Sequence, residues 1–213
     1  DVTQMKSFEE FFDAYKKQME YCISLLVNAD NAIDVAHAER CPLPFLSCMI
    51  DDCLKEGRSV QEGGAVYNFT GPQGFGIANM ADGLFAIRKL VYEEKKVSME
   101  EFKEALAWNY DKGLDAQSAG DMTEMIMKAM QKAGKEADAS TAAGLLKTFI
   151  GMKPGEQKTQ RFKEIHDMID EVPKFGNDIP EIDYFAREVA YTYSKPLQNY
   201  SNPRGGRFQA GLY

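Results

Sequence analysis

Histidine is nearly absent from this chain. His37 and His166 are the only two in 213 residues, beside one tryptophan and four cysteines. That scarcity argues against a histidine-rich metal centre. Neither histidine sits in a recognisable nucleophile word, so a Ser-His-acid or Cys-His mechanism has no sequence support. Cys22, Cys41, Cys48 and Cys53 are too few for a disulfide scaffold. Cys41, Cys48 and Cys53 also lack the paired C-x2-C spacing of zinc ligands, so they read as buried thiols and no metal is expected. No apolar run reaches the roughly 18 residues that a membrane span requires. The opening residues DVTQMKSFEE are polar and acidic, unlike a signal peptide. Positive charge is in deficit: 25 Lys and Arg against 33 Asp and Glu give a net charge of −8. A nucleic-acid partner would need a basic face. The reading is therefore no nucleic acid, no membrane, and a cytoplasmic location.

What is present describes a globular chain: 44% apolar and 27% charged residues, of a length that suits one or two domains. Helix dominates the pattern. Ser7-Phe8-Glu9-Glu10 reads as a capping box. Behind it Phe8, Phe11, Phe12, Tyr15, Met19, Cys22 and Leu26 form one apolar stripe at helical spacing. Cys41-Pro42-Leu43-Pro44 breaks that helix, and Phe45 to Leu54 is expected to resume it. Ser98-Met99-Glu100-Glu101 caps another helix. Residues 114–160 read as a helical insertion: Leu114 to Ile150 is rich in Met, Ala and Lys and reads as two weaker helices joined near Gly134 to Ser140, followed by a loop over Gly151 to Gly155. Its methionines from Met122 to Met130 read as adaptable core. A helix over Arg161 to Glu171 ends at Pro173 and Gly176. A last helix opens at Ile179, with Asn177 and Asp178 in the loop before it as its expected cap.

Two glycine-rich words carry the chemistry. The first is GGAVYNFTGPQGFGIAN, Gly63 to Asn79. Ala65 to Thr70 is β-branched and aromatic and reads as a strand. Gly71-Pro72 and Gly74-Phe75-Gly76 make a turn, and Ile77 onward is helical. Backbone amides at such a helix start suit anions or polar substrate groups. The segment Gly74 to Asn79 misses a G-x-G-x-x-G fingerprint at its third glycine, so a nucleotide site ranks as a distant reading. The second word is NPRGGRFQAGLY, Asn202 to Tyr213. Gly205-Gly206 permits positive φ or a close backbone approach, Arg204 and Arg207 flank it, and Phe208 to Tyr213 reads as a strand. The chain stops inside this word, so a several-fold longer natural protein is expected.

Tyr67–Leu84 (YNFTGPQGFGIANMADGL), Lys174–Asp183 (KFGNDIPEID) and Asn202–Tyr213 together resemble the glycyl radical enzymes, the pyruvate formate-lyase superfamily. The resemblance covers most of the chain outside 114–160. It is closer to the C–X bond-cleaving branch, which includes the glycerol, propanediol and hydroxyproline dehydratases, choline trimethylamine-lyase and isethionate sulfite-lyase. It implies an α/β, helix-dominated fold in which residues 1–213 form one segment of a ten-stranded α/β barrel. It also implies a lyase that breaks a C–O, C–N or C–S bond of a small polar substrate. The glycyl radical would be installed by a radical-SAM activating enzyme. Further implied partners are the remainder of the parent chain and a second copy in a homodimer, and a bacterial microcompartment is an implied address.

The departures are as informative. The family's thiyl-forming cysteine stands in a Gly-Cys-x-Glu word, whereas the cysteines here follow Tyr, Arg, Ser and Asp. The radical glycine's Arg-Val-x-Gly-Tyr word is also absent. No catalytic residue is therefore expected in this segment, which alone should be inactive and carry no cofactor. Its expected substrate-binding residues are Arg204, Phe208, Gln73, Thr70 and Phe69, with Gly205, Gly206, Asn177 and Asp178 as loop-forming residues. Arg204 has two readings: a guanidinium fork for an anionic or hydroxylated substrate, or a salt bridge to a neighbouring carboxylate. The spacing from Arg204 to Phe208 matches an arginine–phenylalanine pair on the sulfonate in isethionate sulfite-lyase, and allows both to face one side of a strand. Two rival functions stay open: a non-catalytic acidic helical interaction module, and a formate C-acetyltransferase-like enzyme.

Overall fold

The computed structural model describes residues 1–111, 128 and 156–212. In chain order their helices are α1 (Phe8–Arg40), α2 (Pro44–Ser47), α3 (Cys53–Glu56), α4 (Ile77–Ile87), α5 (Met99–Ala107), α6 (Glu156–Glu171) and α7 (Pro180–Leu197). Two short strands accompany them, β1 (Gln73–Gly74) and β2 (Gly211–Leu212). Helix dominates, as the periodicity predicts. The chain divides into two compact units, one built from Thr3–Arg88 with Pro173–Tyr213 and the other from Lys89–Val172. The expected insertion over 114–160 lies outside the described residues, apart from Lys128 and the start of α6. So does the Met122 to Met130 stretch, again Lys128 excepted.

In the first unit, Ser7 caps α1, its Oγ accepting from the Glu10 N–H at 3.2 Å. The Glu10 carboxylate reaches back to the Lys6 N–H at 3.0 Å, one residue before the expected box partner. The buried stripe of α1 runs through Phe8, Ile23 and Val27, while Cys22 is exposed. The stripe moves one position along because steps of four after Met19 reach Ile23 and Val27, both more apolar than the cysteine. α4 and α1 both pack against α7. Phe8, Phe12 and Phe85 each meet the Phe185 ring, at centroid separations of 5.7, 5.5 and 5.9 Å. The Arg88 guanidinium lies 6.0 Å from the Phe8 and Phe85 rings. α4 continues as a π-helix over Arg88–Glu93.

Several local expectations need correction. The helix expected over Phe45 to Leu54 is two single turns, because Asp52 takes a left-handed φ of 72° between them. Of the three cysteines read as buried, Cys53 is buried, but Cys41 and Cys48 are exposed: they fall at the ends of α1 and α2 rather than on a packed face. Neither Asn177 nor Asp178 caps α7. Its N-cap is Ile179, with no side-chain cap bond, and Pro180 occupies the first turn. Proline suits the first helical position, where an N–H would be unpaired anyway, and it makes Ile179 the N-cap, leaving Asn177 and Asp178 one step or more too far upstream to cap. The Asn177 amide instead donates to the Lys174 carbonyl at 3.1 Å, and Asp178 adopts φ 58°. The loop docks on α4 through the Asp82 carboxylate, which accepts the Phe175 N–H at 2.8 Å.

The strand predicted over Ala65 to Thr70 is not formed as such: the chain bends at Ala65 and Val66, the Asn68 side-chain amide donates back to the Ala65 carbonyl at 2.8 Å, and pairing begins only at Thr70. Thr70 bridges Phe208 in parallel, and Gln73 and Gly74 pair with Gly211 and Leu212 at the same offset. One ladder therefore runs from Thr70 to Gly74. Its bonds are Thr70 N–H to Arg207 O at 3.1 Å, Gln209 N–H to Thr70 O at 2.9 Å and Gly211 N–H to Pro72 O at 3.1 Å. The next donor in this pattern would be the amide of residue 72. Proline has none, which is why the ladder is interrupted between Thr70 and Gln73.

The second unit is held by polar pairs around an apolar seam. Ser98 and Glu101 form the predicted capping box of α5. Arg161 of α6 bonds the Glu101 carboxylate at 3.1 Å and the Lys96 carbonyl at 2.8 Å. The Ser98 amide, more than the Arg161 guanidinium, holds the Glu101 carboxyl below its ordinary range. Phe102, Ala105, Phe162 and Ile165 are buried in this unit.

Candidate functional site

The second glycine-rich word folds as a tight turn. Asn202 N–H donates to Gly206 O at 2.9 Å, Ser201 and Arg207 form an antiparallel bridge, and Phe208 N–H returns to Tyr200 O at 3.2 Å. Each glycine has its own reason. Gly205 has φ 86°, which disfavours an L side chain. A Cβ on Gly206 would overlap the backbone carbonyl of Asn68.

Asn202 holds this turn together. It is 6% exposed. Its Oδ1 accepts from the amides of Arg204 at 3.1 Å and Gly206 at 2.8 Å. Its Nδ2 donates to the Asn68 carbonyl and to Thr70 Oγ1 at 2.8 Å. One side chain thus ties the turn to the other glycine-rich word, far away in sequence.

Arg204 is engaged on two of its three nitrogens. Nε donates to Asp34 Oδ2 of α1 at 3.0 Å. Nη2 donates to Thr70 Oγ1 at 3.1 Å and to Phe69 O at 3.3 Å. The two charged side chains are 20% and 19% exposed. A cavity of about 180 Å³ opens beside them, lined by Asp34, His37, Val60, Gln61 and Arg204. α1 supplies Asp34 and His37 from the half beyond Val27, where its inner face turns from apolar to polar at Asp30, Asn31 and Asp34. Burial, then the charge of Asp34, pushes the Asp30 carboxyl up from its ordinary value.

Phe208 stands elsewhere. It is 1% exposed and packs with Ile23, Val27, Tyr193 and Leu197. Burying a ring that size contributes roughly 1.5–3 kcal/mol. Arg204 lies in the turn, before the ladder begins at Phe208, so the even spacing does not put the two on one face. Side chains alternate along the ribbon. Phe208 and Ala210 face the helices, whereas Phe69, Gln73, Arg207 and Gln209 are exposed. Phe69 and Gln73 are thus on the exposed side, while Thr70 is bonded to Arg204. Arg207, expected only as a charge flanking the glycine pair, and Gln209, Asp34 and Asn202 drew no site expectation from the sequence. Alternation from a buried Phe208 would have found the first two. Nothing local marks Asp34, which lies well over a hundred residues from Arg204.

Comparison with known proteins bears on what this arrangement serves. The pyruvate formate lyase-like family model matches residues 1–213. A solved structure concerned with 1,2-propanediol dehydration in Roseburia inulinivorans superposes with a TM-score of 0.85 at 56% identity, over 100% of this chain and 25% of that one. The B12-independent glycerol dehydratase of Clostridium butyricum, solved with glycerol bound, gives 0.69 at 40% identity over 100% of this chain and 21% of its own. Trans-4-hydroxy-L-proline dehydratase of Clostridioides difficile is 37% identical over 111 residues, which is 52% of this chain and 14% of that protein. The chain spans a quarter or less of each of these relatives.

Proposed function

The chain belongs to the pyruvate formate lyase-like family, and from that premise we propose that it is one wall of a glycyl radical dehydratase that eliminates water from a small neutral diol. The structures it matches are ten-stranded α/β barrels, and the parallel ribbon of Thr70–Gly74 with Phe208–Leu212 is two strands of such a wall, helices behind and an open face in front. The observation that carries the substrate class is the Arg204–Asp34 pair. An arginine meant to hold a sulfonate or carboxylate should keep its charge for the ligand. Here Asp34 offsets that charge at 3.0 Å, leaving a locally neutral site. Its remaining groups are donors and acceptors: Arg204 Nη1 and Asp34 Oδ1 have no partner among the described residues, and Gln61 and His37 line the same cavity. Such a set matches hydroxyl groups, which both donate and accept.

The radical chemistry belongs to other parts of the full-length protein, since no cysteine or glycine here stands in the family's radical words. When present, the glycyl radical, installed by a separate activating enzyme, would supply hydrogen abstraction next to the bond that breaks. This chain's share is to bind and orient the diol and to keep water out. Gln73 and Phe69 contribute from the open face and Arg204 from the turn, with Thr70 of the ribbon bonded to its guanidinium and Phe208 supporting the ribbon from behind.

The test is anaerobic turnover by the full-length protein after activation, offered 1,2-propanediol, glycerol and isethionate in parallel. Loss of water from a diol, with isethionate untouched, is expected. Sulfite release from isethionate, or no C–O cleavage, overturns the reading. Arg204→Lys sharpens the test. A point charge cannot replace the fork: were the fork holding an anionic substrate, the variant would lose about 10- to 150-fold in kcat/KM, equivalent to roughly 1.5–3 kcal/mol, whereas on a neutral diol the loss should be distinctly less.

A further inference from the structure

Thr70 Oγ1 stands between the two residues that define the turn. It accepts from Asn202 Nδ2 at 2.8 Å and from Arg204 Nη2 at 3.1 Å. A hydroxyl oxygen has two lone pairs, and both are occupied. Asn202 cannot turn its amide around without losing the Arg204 and Gly206 amide bonds to Oδ1, so Nδ2 always faces Thr70. The Thr70 oxygen is thereby fixed as an acceptor for the guanidinium. With Nε on Asp34 and Nη2 on Thr70 and Phe69 O, the plane of the guanidinium is set and Nη1 is the nitrogen left over.

We propose that Asn202 and Thr70 form a positioning relay. Asn202 fixes Thr70, Thr70 fixes the Arg204 fork, and the fork offers Nη1 to the cavity between Asp34, His37 and Gln61. Neither Asn202 nor Thr70 needs to touch substrate for this. The inference rests on the reading above, in which Arg204 meets the substrate, and deepens it by naming what aims that arginine. The choice of threonine follows: its oxygen supplies the two-fold acceptor, and valine, nearly the same shape, supplies none.

The experiment uses the full-length protein without radical activation, so that binding is separated from chemistry. 1,2-Propanediol is titrated calorimetrically into the parent protein and into Thr70→Val, Thr70→Ser, Arg204→Lys and the Thr70→Val/Arg204→Lys double variant. Thr70→Val should weaken the diol by a few-fold, the order of one modest hydrogen bond, and by no more than Arg204→Lys does. Thr70→Ser should restore affinity to within about twofold, since the oxygen returns. The double variant should bind no worse than Arg204→Lys alone, because the relay acts only through Arg204. After activation, KM should rise more than kcat falls in Thr70→Val. A merely structural Thr70 would instead lower the thermal midpoint of Thr70→Val and leave the affinity of the folded fraction unchanged, which overturns the relay. Effects of Thr70→Val and Arg204→Lys that simply add overturn it as well. If Arg204→Lys is itself silent, the role of Arg204 fails, and the relay with it. If Arg204→Lys weakens binding and Thr70→Val does not, the relay alone fails.

Discussion

The two glycine-rich words look alike in composition and are built in opposite ways. The turn from Asn202 to Gly206 is a knot: its asparagine and arginine together make seven hydrogen bonds through their side chains, four from Asn202 and three from Arg204. The loop from Gly71 to Gly76 is open. Phe75 is 72% exposed, Gln73 is exposed, and α4 begins at Gly76 without a side-chain cap. Glycine therefore serves two purposes in one chain. In the turn it permits two backbones to touch; in the other word Gly76, at φ 78°, lets the chain pass from the ribbon into α4 while Gln73 and Phe75 are exposed. A word whose side chains turn inward serves as scaffold, and one whose side chains face outward, as Gln73 and Phe75 do, is available to a ligand or to another part of the protein.

The largest expected effect breaks the knot. Gly206→Ala forces a methyl group into the Asn68 carbonyl, and two backbone segments must part to admit it. Overpacking against backbone should cost about 3 kcal/mol. Gly76→Ala meets nothing within 4 Å and carries only the strain of φ 78°, about 1 kcal/mol. Urea unfolding of the full-length variants measures both. Equal losses would erase the distinction between the two words.

Much of this was legible in the sequence. The cap at Ser7, the box at Ser98–Glu101, the break at Pro42–Pro44 and the strand character beginning near Phe208 follow from local chemistry. The family's three words could be read directly. What escaped depends on distant partners. Asp34 is one of many acidic residues on α1, and only the fold brings it to Arg204. Cys22 lost its predicted place to Ile23 because periodicity alone does not decide between adjacent positions on a helix. Asn177 and Asp178 have capping chemistry, but α7 opens at Pro180 with Ile179 as its N-cap, so they lie two and one residues too far upstream. Asn202 carries no signal beyond a turn-forming residue before proline, although its side chain alone makes four hydrogen bonds.

A smaller effect sharpens the comparison on the open side. Gln73 is exposed and none of its side-chain atoms is held by the ribbon. In the activated full-length protein Gln73→Ala should reduce kcat/KM about tenfold, the order of one lost hydrogen bond to substrate. The thermal midpoint should stay within about 1 °C of the parent's, as for surface substitutions generally. A lowered midpoint with normal turnover per folded molecule would place Gln73 with the scaffold instead.

The smallest effect concerns charge behind the knot. The Asp30 carboxyl titrates above its ordinary value of 3.8, first because burial penalises its charge and second because Asp34 repels it. A folded-state value above the unfolded one means that the folded chain holds this proton more tightly. The penalty is therefore absent below the unfolded value, grows as pH rises through the folded value, and is fully present at neutral pH. Asp30→Asn removes the charge at nearly constant shape. It should raise the thermal midpoint slightly at pH 7, and the gain should shrink to nothing as pH falls toward 3.8. Asp34 loses a like-charged neighbour in the same step, so its pairing with Arg204 is expected to survive. Melting curves of the parent and variant full-length proteins from pH 7 downward test this. A gain that persists unchanged into acid would mean that Asp30 acts through its shape or its hydrogen bonds. The polar half of α1 would then hold the arginine turn by packing rather than by the balance of its charges.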